Sequence, residues 1–275
     1  MAPARPTITR ETFQFFKDLG RHNHKDWMYA NRERYQVAVV QPFRRLLEEM
    51  TPTVLELDSR FDTSGRTGPN FSRINRDIRF AKDKTLYKTQ MYLKFSVPAP
   101  GKRETGQLYV GISKDTVTAG FRIYSGGKRK ESTLALIAEP RTMAMPDWAA
   151  KQKKRLGRRY ESYWYTTVKG EWTKHEGWPA SPEDWKKILA WIVRRKFTPA
   201  AATRATFQGE AAKVFRDLYP LVRFTSLEEG RKREHEPRNR SDQDSKKISP
   251  NAVGKSAAGK LKPSWRCFRE SFSGR

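Results

Sequence analysis

The sequence predicts an α+β fold: an antiparallel β-meander flanked by helices, in a single domain with a disordered basic tail after it. Three observations predict this. Apolar residues recur at helical spacing through the first fifty positions. Between residues 74 and 123 the spacing drops to two, in short runs separated by short linkers. Beyond residue 227 large apolar side chains thin out while Lys, Arg, Ser, Gly and Pro accumulate. The expected boundaries are a domain over 1–227 and a low-complexity tail over 228–275.

The first helix is expected from Thr9, its cap, to about His22, with Phe13, Phe16 and Leu19 on the inner face. Asp26 is the expected cap of a second helix, Trp27 to Met50, which Pro42 should break or kink because its ring meets the preceding turn. Residues 62–69 read as a loop from their Gly, Pro and Ser content. Four alternating runs follow. They centre on Ile74, Ile78 and Phe80; on Met91, Leu93, Phe95 and Val97; on Leu108, Val110 and Ile112; and on Val117, Ala119, Phe121 and Ile123. Gly101, Gly106, Gly126 and Gly127 fall at the turns, where a positive φ is expected.

Residues 131–155 read as helical with an interruption between Pro140 and Pro146, and residues 160–172 as β-rich. Ser181 to Lys196 carries the clearest helical pattern. Ser181 and Asp184 form a capping box, and Trp185, Ile188, Leu189 and Ile192 form an apolar stripe. A last helix is expected from about Thr203 to Leu218. Trp172, Trp178, Trp185 and Trp191 are expected in the core.

Charge narrows the function classes. The chain of 275 residues has a formal net charge of +26. Residues 1–227 hold 43 Lys and Arg against 23 Asp and Glu, so the excess belongs to the body as well as the tail. Nucleic acid, phosphorylated ligands and acidic proteins are the partners such a surface attracts. No apolar run is long enough to span a membrane, and the first ten residues lack a signal-peptide core. The lone Cys267 makes neither an internal disulfide nor a Cys-rich zinc site, and a reducing, cytoplasmic location is expected.

Two segments concentrate the chemistry. In residues 73–90 (RINRDIRFAKDKTLYKTQ) the anion-binding candidates are Arg73, Arg76, Asp77, Arg79, Lys82, Asp83, Lys84, Tyr87 and Lys88. On a strand, Arg73, Asp77 and Arg79 share one face, where guanidinium forks either grip a phosphate or form a ladder with Asp77. Arg76 falls on the apolar side, so its burial requires a partner carboxylate or a bulge. The segment therefore reads either as an anion pocket or as an ion-paired hairpin that pins the sheet to the helices. The second segment holds six cations and no acid: Lys151, Lys153, Lys154, Arg155, Arg158 and Arg159. It reads as a solvated helix face or as a phosphate-tracking surface. Tyr160, Tyr163, Trp164 and Tyr165 beside it either stack on bases or fill core.

No phosphate-binding glycine loop, dinucleotide fingerprint, zinc-protease helix or serine-nucleophile elbow is present. His22 and His24 form a pair without a third metal ligand, and the cations around Asp77 and Asp83 compete with Mg²⁺. Cys267 has no evident base. Neither a metal nor a cofactor is expected.

The 73–90 segment strongly resembles the signature of the domain-of-unknown-function 2461 family, a group of uncharacterised, mostly bacterial proteins. Arg73, Arg76, Asp77, Arg79, Phe80, Lys82, Asp83, Lys84, Thr85, Tyr87, Lys88 and Thr89 match it, while Ala81 and Leu86 depart from it. Phe13, Phe16, Leu19, Asn23, Trp27, Tyr35 and Pro42 are similar to its amino-terminal pattern. The resemblance runs from about residue 9 to 225 and implies a shared fold and surface, and no activity. The expected function is binding of nucleic acid or another polyanion. The alternatives are an enzyme acting on a phosphorylated or carboxylated small molecule at the signature, and a structural or partner-binding module.

Overall fold

A computed structural model describes residues 6–79, 81–98, 105–125, 134–168 and 171–226. Phe80, Gly101, Gly126, Gly127, His235, Cys267 and the basic tail lie outside the described residues.

Six strands form one antiparallel sheet: β1 (Gln90–Ser96), β2 (Gln107–Ser113), β3 (Val117–Tyr124), β4 (Glu161–Val168), β5 (Glu171–Glu176) and β6 (Ala190–Phe197). Their spatial order is β1-β2-β3-β6-β4-β5. Of the four runs expected to form the meander, the last three do so as β1 to β3; the first, from Ile74, is not a strand of the sheet. The chain then leaves the sheet, returns as the β4–β5 hairpin, and inserts β6 between β3 and β4. Across the core face one row of cross-strand neighbours reads Phe95, Leu108, Phe121, Val193 and Ser162, all buried. A second row places Trp191 between Ile123 and Trp164. Phe121, Trp178 and Trp185 pack edge-on against Trp191 at 5.1–5.3 Å. Trp185 and Trp191 are in the core as expected, whereas Trp172 and Trp178 are half-buried.

The amino-terminal helices are α1 (Arg10–Arg21), α2 (Lys25–Ala30), α3 (Arg32–Tyr35) and α4 (Gln41–Leu57). Thr9 occupies the cap position of α1 without a side-chain cap bond. The expected helix from Trp27 is redrawn in two ways. His24, not Asp26, caps α2, its Nδ1 accepting from the Trp27 N–H at 3.3 Å. Pro42 does not break the chain's helical course. A π-helical turn over Gln36–Val40 precedes it, with the Gln41 N–H reaching back to the Gln36 carbonyl. The wider turn accommodates a ring that would clash in a regular α-turn.

The remaining helices are α5 (Glu139–Ala144), α6 (Trp148–Leu156), α7 (Pro182–Lys187), α8 (Pro199–Ala202) and α9 (Phe207–Thr225). α9 lies against β2 and β3, and its Phe215 meets Phe95 edge-on at 5.7 Å. The expected helix Ser181–Lys196 is corrected. Its capping box forms as expected, yet the helix stops at Lys187 and the rest is β6. β6 is central, so Ala190 to Val193 are buried on both faces and the alternation that marks a strand disappears. Among the expected turn glycines, Gly106 has no positive φ. It is glycine because a Cβ there would lie 2.7 Å from the Phe121 ring and against Thr225. Among the described residues no helix is long and apolar enough to cross a membrane.

Candidate functional site

The signature segment is not the regular strand its alternation suggests. Residues 70–76 run antiparallel to 86–94 as an irregular hairpin along the outer side of β1. The bridges are Asn75–Tyr87 and Phe71–Leu93. Four steps on one side face six on the other, a bulge in which the Ser72 Oγ accepts from the Tyr92 N–H at 2.9 Å. Two buried apolar anchors, Phe71 and Ile74, hold the hairpin to the core. Asn70 is fully buried and fully used. Its side-chain oxygen accepts from the Gly65 N–H at 2.9 Å, and its amide donates to the Asp62 and Lys94 carbonyls at 2.6 and 3.1 Å.

Most candidate charges of the hairpin are spent inside it. The Arg76 side chain, only 11% exposed, pairs with Asp83 and the Thr85 hydroxyl, which is the carboxylate partner its position demanded. Asp83 also accepts from the Thr85 N–H at 2.9 Å, and this bond, with Arg76, holds its carboxyl below the usual range. Arg79 pairs with Asp77 at 3.0 Å, but both are well exposed. The ammonium of Lys84 donates to the Ile78 carbonyl at 3.1 Å and that of Lys88 to the Arg73 carbonyl at 2.8 Å. Lys82 is exposed at the tip. Tyr87 does not offer a free stacking face; it is half-buried and packs on the core.

One contact ties the hairpin to the helices. Asn23, between α1 and α2, donates from Nδ2 to the Tyr87 carbonyl and accepts at Oδ1 from the Tyr87 N–H, each at 2.8 Å. The side chain imitates a strand partner. His22, beside it, stacks on Trp27 at 6.1 Å and His24 caps α2, so the histidine pair serves the same corner. No three His, Cys, Asp or Glu side chains converge on a metal-sized site among the described residues.

A groove runs between these helices and the hairpin. It consists of two adjoining clefts of about 520 and 420 Å³ that share Tyr35, Ile74 and Asn75. Lys25, Tyr29 and Arg32 line the first; Arg44 and Arg73 line the second. Of the signature cations, Arg73 alone lines either cleft among the described residues.

The second basic segment forms α6 and the 3₁₀ turn Gly157–Arg159. Lys151, Lys153, Lys154, Arg155, Arg158 and Arg159 are all exposed. Arg155 donates to Gln152 at 3.0 Å and to the Asp217 carbonyl. None of the six pairs with a carboxylate among the described residues. The nearby Asp217 carboxylate already accepts from Tyr160 at 2.7 Å. Tyr160, Tyr163, Trp164 and Tyr165 are 9% exposed or less, so none is an open stacking surface; Tyr160 and Trp164 pack in the core, and Tyr163 and Tyr165 lie on the opposite face of the sheet.

The sequence reading missed a layer on the sheet face turned away from the core. Tyr92, Tyr109, Tyr124, Tyr163 and Tyr165 share it with Arg122 and Arg194, as the cross-strand register dictates. The Arg122 guanidinium lies 4.6 Å from the Tyr92 ring and 4.9 Å from that of Tyr109; Arg194 lies 5.0 Å from Tyr163. Gly120 opens room for Arg194, since a Cβ there would sit 2.7 Å from the Arg194 Cβ. Burial pushes the Tyr92 and Tyr165 phenols up to about 12, and those of Tyr109, Tyr124 and Tyr163 also upward. The signal was there in the alternate positions of each strand, but it needs the strand order to assemble.

The hairpin's residues match a described family. Residues 11–224 match DUF2461, a family of conserved hypothetical proteins. The chain belongs to that family. A search of curated proteins found no match. Membership in DUF2461 extends over the helices, the sheet and the hairpin, and it assigns no activity to any of them.

Proposed function

We propose that this DUF2461 protein binds nucleic acid or a related polyanion through a basic surface centred on α6. The observation that carries the reading is the run of six cations in Lys151–Arg159, all exposed and without a carboxylate partner among the described residues. Several arginines elsewhere are held by carboxylates: Arg34 by Glu11 and Asp18, Arg60 by Asp58, and Arg66 by Asp62. A run of cations left open keeps its full attraction for phosphate, and binding releases the counterions that phosphate has condensed. Exposed Lys and Arg position a backbone without reading bases, so sequence preference should be weak.

The catalytic alternative at the signature has less support. Arg76, Arg79, Lys84 and Lys88 are engaged within the hairpin, which leaves it the character of a brace. The test is charge reversal in the full chain, with Lys153→Glu, Lys154→Glu and Arg158→Glu combined. These positions are exposed, so the fold should stand. Affinity for labelled single- and double-stranded nucleic acid should fall steeply, and the salt slope should shrink by about one for each phosphate contact removed. An unchanged affinity and slope would refute the assignment to α6.

A further inference from the structure

We infer that the groove between the amino-terminal helices and the signature hairpin is a binding site for a small organic phosphate carrying a planar ring. The inference is independent of the polyanion reading, because it rests on different residues. Each cleft falls within the ~300–1,000 Å³ typical of ligand pockets, and the two are continuous through Tyr35, Ile74 and Asn75.

The charge on the walls is one-sided. Arg32, Arg44, Arg73 and Lys25 line the groove, with Asp26 the single carboxylate on it among the described residues. None of those four cations has a carboxylate partner among the described residues. The contrast with neighbouring arginines is local: Arg34, next to Tyr35 in sequence, is held by two carboxylates, and Arg76, next to Asn75, is held by Asp83. Guanidinium groups with unspent forks match phosphate oxygens, which accept two parallel N–H bonds.

The rest of the lining suits a ring. Tyr35 presents a half-buried aromatic wall, Met28 an adaptable apolar one, and Tyr29 stands 82% exposed at the groove. Gln36 and Asn75 supply amide donors and acceptors for a ring edge. The hairpin's internal ion pairs then acquire a purpose: they fix the backbone that carries Arg73, whose own carbonyl is held by Lys88 at 2.8 Å.

The test is calorimetric titration of the full chain with adenosine 5′-monophosphate, ribose 5-phosphate, inorganic phosphate and adenosine. The nucleotide should bind one to one, more tightly than ribose 5-phosphate. The pair Arg44→Gln and Arg73→Gln should weaken it by at least about tenfold, as expected for lost charge-assisted bonds. Tyr29→Ala should bring the nucleotide down towards ribose 5-phosphate. Arg79→Gln and the α6 reversal should leave binding unchanged. The inference is overturned if no phosphate binds saturably at millimolar concentration, if adenosine binds as well as its phosphate, or if the Arg44/Arg73 pair has no effect. Equal weakening by the α6 reversal would also overturn it, since that would mark general electrostatics.

Discussion

Asn23→Ala removes the clamp between the helices and the signature hairpin, and its cost can be worked from two bonds. Asn23 exchanges a donor and an acceptor with the Tyr87 backbone, both at 2.8 Å. Each is worth about 0.5–1.5 kcal/mol net, and the Tyr87 N–H and carbonyl lose partners in a half-buried place. The expected loss is about 2 kcal/mol. With a urea m-value of about 2–3 kcal/mol/M for a domain of this size, the midpoint should fall by about 0.8 M. Chemical denaturation followed by tryptophan fluorescence measures this, with Arg21→Ala, an exposed neighbour, as the control expected within about 0.5 kcal/mol. The groove should suffer as well, because Asn75 and Tyr87 both line it. A midpoint within error of the parent, at unchanged m, would refute the clamp.

Three further outcomes follow from the same physical arguments. Gly106→Ala should destabilise by about 1–3 kcal/mol in thermal unfolding, because a Cβ there meets Phe121 at 2.7 Å in a packed core. Acidification should destabilise the fold below about pH 4–5: Arg34 holds the Asp18 carboxyl, and Arg60 that of Asp58, below the ordinary value. A depressed folded pKa gives stability above the unfolded value that is lost as pH falls through the folded one, so Arg34→Met should flatten the acid limb of a midpoint-against-pH curve. The phenols of the outer sheet face are raised, so native phenolate absorbance should lag that of urea-unfolded protein above about pH 10, and stability should decline over the same range.

The fold was legible wherever local pattern and final burial agree. In α1, Phe13, Phe16 and Leu19 have the spacing of one face and are buried. In β1, alternation survives: buried and half-buried residues take turns along the strand. It failed where a strand is enclosed on both sides. β6 shows four consecutive buried residues after a true capping box, and Trp185, Ile188 and Ile192 imitate a helical stripe. It failed in a second way at residues 73–79, where alternating charges suggested a strand and bridges form only at Phe71 and Asn75 among the described residues. There the register is set by Ser72, Asn23 and Asn70, polar side chains that stand in for backbone partners. Of the signature cations the sequence singles out, Arg73 alone lines the groove among the described residues. The rest of the lining was not legible, since Arg32, Arg44 and Tyr35 reach the groove only through the packing of the helices against the hairpin.

The most direct measurement is the affinity of the full chain for labelled single- and double-stranded DNA and RNA across a salt series. A basic surface tracking phosphate predicts micromolar or tighter binding, little dependence on sequence, and a log–log slope near −0.7 to −0.9 for each phosphate contacted. An affinity that is undetectable near physiological salt, or one that does not change with salt, would contradict polyanion binding.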